Sequence, residues 1–399
     1  MTETRYAHIT GWGAYAPPRV VTNDELAQLV PTSDDWIRGR TGIAERRIAD
    51  DHDFTSTMST KAGKRALEVA NLEPGRLDLI IVASATPDHL MPSTASMVQN
   101  ALGATNAAAF DLNAACSGFV YALSVASSLV KVGAYDTVLV IGAESLSRVT
   151  NWTDRQTCVL FGDGAGAVVV EASDQPGGVL GYDLGADGSG GDYITIGLGT
   201  RNPIYSDVAP VSDNYIKMKG RDVFRFATKI MEQSTRTVVA QAGLEVDDID
   251  LIIPHQANER ILQVAAKRLD YPLDRLFSNL ERYGNTSAAS VPLALVDAIE
   301  QGRVKAGDNI VMVGFGGGLT WASCLVRWAY DPEEREWSSW RRGVRWTRGR
   351  VSGAKNWLNR ADRRLAAMDD WLRRRGDDGR MNGRGGGRRL VGRGRPSRS

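Results

Sequence analysis

LEPGRLDLII (72–81) returns later in the chain as LEVDDIDLII (244–253), and AYDTVLVIG (134–142) returns as AGDNIVMVG (306–314). Both pairs are offset by 172 residues, and Asn113 and Asn285 stand at the same offset. One match can arise by chance; three at a single offset indicate a duplicated half. Each half reads as the same string. A helix (58–71; 223–243) leads to an apolar strand (78–84; 250–254) and a second helix (92–103; 257–269). After a short segment come a third helix (117–132; 289–302) and a further apolar strand (137–142; 309–314). Runs such as LIIVAS and TVLVIG lack polar alternation, the pattern of strands buried on both faces between helices. Two stacked βα-rich halves predict a layered α/β architecture.

The 399 residues suffice for two or three domains, and 43% hydrophobic with 24% charged residues is an ordinary globular composition. No run reaches the roughly 18 apolar residues of a membrane span. The start, MTETRYAHITGWG, lacks a basic-then-apolar export pattern, so the expected compartment is cytoplasmic. Cys116, Cys158 and Cys324 are odd in number and lack CxxC spacing, and the four His form no HExxH pair. A disulfide framework and a metal site are therefore not expected. The net charge of +1 hides an asymmetry. Residues 331–399 carry 20 Lys/Arg against 9 Asp/Glu, leaving 28 and 38 for residues 1–330.

FDLNAACSGFVYAL (110–123) places Cys116 where a strand-like run gives way to a helix-like one. Unpaired N–H groups and the positive dipole end of that helix favour a thiolate, and small neighbours leave room for a substrate. The residues alone leave two readings: a nucleophile at a strand-to-helix turn, or a small core hydrophobe. Cys158 reads as a core or pocket-wall residue, and Cys324, in the terminal apolar stretch ASCLVRW, as structural. In the second half, His255 emerges at the C-terminal edge of a buried strand, where open α/β sheets place ligands. Asn285 lies three residues before Ala288, the counterpart of Cys116. A pseudo-twofold would bring the two loops face to face. GFGGG (314–318) is either a flexible hairpin or a loop that aims backbone N–H groups at a ligand. GDGAGA (162–167) leads into a strand rather than a helix, which excludes a dinucleotide loop.

Six motifs in order, TSDDWIRGRTGI, AACSGF, FGDGAGA, PHQAN, YGNTSAAS and GFGGG, resemble β-ketoacyl-acyl-carrier-protein synthase III. This is a thiolase-fold family of condensing enzymes, and the similarity runs from about residue 5 to 329. The resemblance implies a thiolase-like αβαβα stack, usually a homodimer, with an N-terminal half (1–173), a C-terminal half (174–330) and an extension (331–399). It implies a decarboxylative Claisen condensation of an acyl-CoA primer with malonyl-acyl carrier protein. Cys116 would carry the acyl group. His255 and Asn285 would stabilise the enolate, and the N–H groups of Cys116 and Gly317 would form the oxyanion hole. No cofactor is implied.

The same resemblance places CoA against Trp36 and Arg155, with Arg40 and Asn258 nearby. Arg221 stands where the family has a CoA-contacting Asn, a change that adds a charge suited to phosphate. Carrier-protein docking maps to Arg225 and Arg260, with Lys229 and Lys267 at helical spacings of four and seven. Met91, before the Pro of HLMPSTA, is implied to close the partner's acyl pocket, and Leu160 to line the same pocket. Met re-packs readily around a longer or branched acyl group.

The family does not account for residues 331–399. AKNWLNRADRRLAAMDDWLRRR (354–375) has apolar residues at helical spacing, and five of the ten Trp lie after residue 336. A basic, Trp-bearing amphipathic helix suits an anionic membrane or an acidic partner, and the Gly/Arg end is of a disordered type with no specific nucleic acid implied. The bland alternative is a solvated extension. Two further functions compete: a polyketide-starter synthase or acyltransferase with another acceptor, and a scaffold whose tail does the binding.

Overall fold

The computed structural model describes residues 4–197 and 214–330, so the expected tail helix and Gly/Arg end lie outside the described residues. Nine strands build two sheets. The first contains β1 (Tyr6–Tyr15), β2 (Leu79–Ala83), β3 (Ala108–Leu112), β4 (Thr137–Ser145) and β5 (Asp163–Ser173), in the order β1-β5-β4-β2-β3. The second contains β6 (Gly178–Ala186), β7 (Leu251–Pro254), β8 (Asn309–Gly316) and β9 (Thr320–Arg327), in the order β7-β8-β9-β6. The pairs β2–β4 and β7–β8 are parallel; β4–β5 and β8–β9 are antiparallel. The two sheets thus share one plan. Where the first has β3, the second keeps only a parallel bridge between Ile252 and Leu276.

Local chemistry repeats with the plan. Asp78 accepts the N–H groups of Asp136 and Thr137 at 2.9 Å, and Asp250, 172 residues on, accepts that of Asn309 at 2.8 Å. Each carboxylate ties the mouth of one parallel strand to the next.

The helices that matter are α1 (Asp34–Thr41), α2 (Thr55–Ala70), α3 (Thr94–Leu102), α4 (Gly118–Lys131), α5 (Gly220–Gln241), α6 (Glu259–Leu269) and α7 (Ser290–Glu300). Side-chain alternation on the strands sorts them into layers. Val138 and Val140 of β4 join Phe119 and Leu123 of α4, Val291 and Leu295 of α7, and Ile310 and Met312 of β8 in one core. Leu139 and Ile141 point the other way, onto α2 and α3. Ile252, Val311 and Val313 face α5 and α6. The order is therefore α2/α3, first sheet, α4/α7, second sheet, α5/α6: the expected αβαβα stack. Strands buried on both faces explain the unbroken apolar runs in the sequence.

Ser33 caps α1 by accepting the Trp36 N–H, and Gly42 ends it at φ 85°, a left-handed turn that favours glycine. Asn258 caps α6 by accepting the Arg260 N–H. Among the described residues, no helix is long and apolar enough to cross a membrane.

Candidate active site

Cys116 sits in a single 3₁₀ turn, Ala115–Ser117, between β3 and α4. Asn113 Oδ1 accepts the Ala115 N–H at 3.1 Å, Ala115 takes φ +47°, and the Ser117 hydroxyl donates to Ala114 O at 2.7 Å. These bonds hold the sharp bend that exposes Cys116 partly to a cavity. The β8–β9 hairpin closes over it. Thr320 Oγ lies 2.9 Å from Ala114 O and 3.0 Å from Gly317 O, and the Ser117 hydroxyl reaches it at 2.8 Å. A Cβ on Gly316 would stand 2.6 Å from the Cys116 nitrogen, so only glycine lets the strand approach this closely.

The expected thiolate is not what this environment favours. Burial pushes the Cys116 thiol up to about 12, with Glu144 adding to the rise and the nearby Ser287 side chain opposing it. One helix terminus does not offset desolvation in an apolar cavity beside a buried carboxylate. The resting nucleophile is a neutral thiol.

His255 follows β7, and its N–H is fixed to Val313 O at 2.7 Å. Its ring is 1% exposed and packs edge-on against Phe315, with centroids 5.1 Å apart. Burial drives its pKa down to about 3, so the imidazole is neutral across the working range. Asn285 is clamped by the first half: its N–H donates to Leu160 O at 2.8 Å and its carbonyl accepts the Gly162 N–H at 3.0 Å. Asn285 Oδ1 accepts the Ser287 N–H at 2.9 Å. With the side-chain oxygen so engaged, the amide NH₂ is the end free to serve the cavity.

Cys116, His255, Asn285 and Gly317 line one cavity of about 190 Å³, together with Leu160 and Asn258. Its walls are apolar, from Leu146, Phe161, Ile194, Ile216 and Phe315. Asn258 leads outward: its amide donates to Arg40 O at 3.1 Å, and Arg260 donates to Gly39 O at 2.6 Å, which ties α6 to α1. On α1, the Trp36 ring lies under both the Arg40 guanidinium, 4.4 Å from its centroid, and that of Arg155, at 4.8 Å. Arg221 is exposed beside Gly220, which borders the cavity. Arg225 and Lys229 on α5, and Arg260 and Lys267 on α6, are all exposed, and the two helices pack together in one outer layer. Met91 is 87% exposed and lies outside the lining of this chain's own cavity. Among the described residues, no group of three or more His, Cys, Asp or Glu is placed to hold a metal ion.

Sequence reasoning passed over the apolar walls, Ser287 and Glu144. Ser287 was available from the 172-residue offset, because it is the counterpart of Ala115. Glu144, in the run IGAES, carries no local signal of its surroundings.

The family model described as 3-oxoacyl-[acyl-carrier-protein (ACP)] synthase III matches residues 110–188, and the one described as its C terminal matches residues 239–328. A beta-ketoacyl-[acyl-carrier-protein] synthase III of Caldanaerobacter subterraneus is 52% identical over 330 residues, 82% of this chain and 100% of that protein. The crystal structure of the 3-oxoacyl-[acyl-carrier-protein] synthase III from Aquifex aeolicus superposes with a TM-score of 0.76 at 48% identity, over 81% of this chain and 100% of that one. The priming beta-ketosynthase of the R1128 polyketide pathway superposes at 0.78 with 38% identity, over 83% and 98%.

Proposed function

The chain belongs to the β-ketoacyl-acyl-carrier-protein synthase III family of condensing acyltransferases, and from that premise we propose how its residues divide the work. Cys116 attacks the thioester of an acyl-CoA primer and keeps the acyl group. Malonyl-acyl carrier protein then enters and loses CO₂, and the resulting carbanion attacks the acyl carbon and displaces Cys116. This initiates fatty acid synthesis. Loss of CO₂ drives the second step, so the chemistry calls for no metal or redox cofactor.

The observation that carries this reading is the convergence of Cys116, neutral His255 and an Asn285 amide on one cavity. A neutral imidazole and an amide are both hydrogen-bond donors to a developing enolate oxygen without a fixed charge of their own. The N–H groups of Cys116 and Gly317 serve the tetrahedral intermediates, and one such donor is typically worth ~3 kcal/mol. Trp36 and Arg155 take the adenine between them, with Arg40, Asn258 and Arg221 around the rest of CoA. Leu160 lines the acyl end.

Arg225, Lys229, Arg260 and Lys267 offer an acidic carrier protein a basic face beside the cavity mouth. A second copy of the chain is the further partner. β3 is an edge strand of its sheet, Phe110 on it is 38% exposed, and Leu90 and Met91, which precede the α3 N-terminus bonded to Asp111 of β3, are 82% and 87% exposed. Such an apolar edge suits pairing with its twin, which would carry Met91 to the partner's acyl pocket. The halves 1–173 and 174–330 do the chemistry in the cytoplasm, and the basic extension 331–399 serves contact with an anionic membrane or an acidic partner.

Intact-mass measurement after incubation with acyl-CoAs from acetyl to long and branched chains tests the reading. A single adduct on Cys116, discharged by malonyl-acyl carrier protein with CO₂ release, is expected. An adduct that persists with malonyl donors would point to another acceptor. No adduct from any acyl-CoA would remove the nucleophile assignment.

A further inference from the structure

Glu144 ends the parallel strand β4 beside the active site, is fully buried, and has no part in the chemistry above. Its Oε1 accepts the Ser287 hydroxyl at 3.0 Å and the Ala288 N–H at 3.5 Å. Its Oε2 accepts the Thr86 hydroxyl at 2.5 Å and the Ser84 hydroxyl at 3.2 Å, and the Ala85 N–H lies 3.2 Å from both oxygens. The Ser84 and Thr86 oxygens already accept the N–H groups of Thr86 and Ser145, which turns their protons toward the carboxylate. Five donors and no acceptor define an ionised carboxylate. Burial meanwhile raises its pKa above the ordinary carboxylate value and makes it a stronger base than an exposed Glu.

The internal duplication shows what this arrangement is. Ala288 is the counterpart of Cys116, and Gly316 that of Glu144. In the second half, Gly316 keeps the space over the Cys116 N–H clear. In the first half, the equivalent space over the Ala288 N–H is filled by the Glu144 carboxylate. The unused copy of the oxyanion site holds a resident anion, and Ser287 joins that copy to the working one. Its hydroxyl donates to Glu144, and it lines the active-site cavity together with Cys116.

We propose that Cys116, Ser287 and Glu144 form a proton relay for the acyl-transfer step. As Cys116 Sγ bonds to the thioester carbon, its proton passes to Ser287 Oγ while the Ser287 hydroxyl proton passes to Glu144 Oε1. The bond from the acyl carbon to CoA sulfur breaks with its electron pair on sulfur, and the CoA thiolate leaves to take a proton from solvent. In the condensation, the carbanion displaces Cys116, the C–S bond breaks with its pair on Sγ, and Glu144 returns the proton through Ser287. The enzyme ends each cycle with the protons it began with. Glu144 never meets substrate; it is a positioning and proton-holding group that works through Ser287. The groups bonded to it are the hydroxyls and N–H groups of residues 84–86 and 287–288, and Cys116 is the titratable group that feels its charge.

The inference rests on Cys116 being the acyl acceptor. The test is single-turnover acylation of the full chain by acyl-CoA, followed by intact mass from pH 6 to 9.5, for wild type, Glu144→Gln and Ser287→Ala. CoA affinity serves as the fold control. Ser287→Ala suits the backbone, because Ala115 already holds the same φ of +47°. The expected result is an acylation rate at pH 7 lowered about 100-fold in both variants, with CoA affinity within threefold of wild type. The variant rates should climb about tenfold per pH unit, because hydroxide must then remove the thiol proton, while wild type stays flat. A wild-type rate in Ser287→Ala, or a uniform loss that keeps the wild-type pH profile, would overturn the relay; the second is what a structural role, or a proton taken by His255, would give. If Glu144→Gln does not fold, Ser287→Ala decides alone. A wild-type protein that takes no acyl group at any pH removes the nucleophile itself, and the relay with it.

Discussion

Ala115 and Ser287, 172 residues apart, both hold φ at +47°, a left-handed conformation that neither residue type favours. Each is the first residue of a 3₁₀ turn that feeds a central helix, and each donates its N–H to the side chain of an Asn two residues before it. The duplication has kept the strained bend in both halves and changed what it presents: a Cys after Ala115, an Ala after Ser287. The site is built on the difference between two copies of one turn.

Gly316 should not tolerate even one methyl group. Its Cβ would meet the Cys116 nitrogen at 2.6 Å and the Cys116 Cβ at 3.0 Å, both on a bend that cannot retreat. Gly316→Ala is expected to lower stability by about 1–3 kcal/mol in urea unfolding and to slow Cys116 acylation at least tenfold. Gly75→Ala, where a Cβ meets nothing within 4 Å, should stay within about 0.5 kcal/mol of wild type.

Asn285→Asp separates the two chemical steps. An Asp oxygen can still accept the Ser287 N–H and keep the turn, but the amide donor is replaced by a negative charge where an enolate must form. Acylation of Cys116 is expected to stay within about tenfold of wild type. Condensation with malonyl-acyl carrier protein should fall about 100- to 1,000-fold, the usual loss for one oxyanion donor. Equal losses in both steps would show that Asn285 acts only by holding the loop.

Much of this was legible in the sequence, for a physical reason. Strands such as β2 and β4 are buried on both faces, so LIIVA and TVLVIG carry no polar alternation and stand out. The 172-residue offset then fixed the second half from the first. The antiparallel strands β1, β6 and β9 were harder to see, because glycines and half-buried positions break their patterns. The cavity walls were harder still: Leu146, Phe161, Ile194 and Ile216 come from separate segments, and no local pattern joins them. The protonation of Cys116 was misjudged because a helix terminus can be read from sequence, whereas burial and the nearness of Glu144 cannot.

His255 makes stability depend on pH. Its folded value of about 3 lies below the ordinary 6.5, so the folded chain binds this proton less readily than the unfolded one. The resulting stability is fully present above pH 6.5 and is lost as pH falls from 6.5 toward 3, at about 1.4 kcal/mol per unit. Urea unfolding from pH 7 to 4.5 should show that slope in wild type, reduced by this amount in His255→Gln. Other groups titrate in the same window, and the difference between the two proteins isolates His255.

Trp36 bears on CoA recognition and not on the chemistry. Two guanidinium groups already lie over its ring, a surface suited to a purine. Trp36→Ala is expected to raise KM for acyl-CoA about tenfold, or about 1.4 kcal/mol. The rate with an acyl-N-acetylcysteamine thioester, which lacks the nucleotide, should stay within about twofold. A comparable loss with both thioesters would place Trp36 among the supports of α1 instead.

The extension separates from catalysis by its charge. Residues 331–399 hold 20 Lys/Arg against 9 Asp/Glu, while residues 1–330 hold 28 against 38. The basic excess and half of the Trp therefore lie beyond every residue assigned to the reaction in the sequence. A chain ending at residue 330 should keep Cys116 acylation and condensation within about twofold of the full chain. Sedimentation with vesicles of mixed neutral and anionic phospholipid should retain the full chain at low salt and release it as salt rises, because the Debye length shrinks from about 10 Å at 0.1 M to about 3 Å at 1 M. The shortened chain, with its net acidic body, should remain in the supernatant throughout. Binding that persists in 1 M salt would mean that the Trp side chains, rather than the Arg, hold the membrane. Equal sedimentation of both chains would move the contact to the body, and a shortened chain without condensing activity would place the extension within the enzyme.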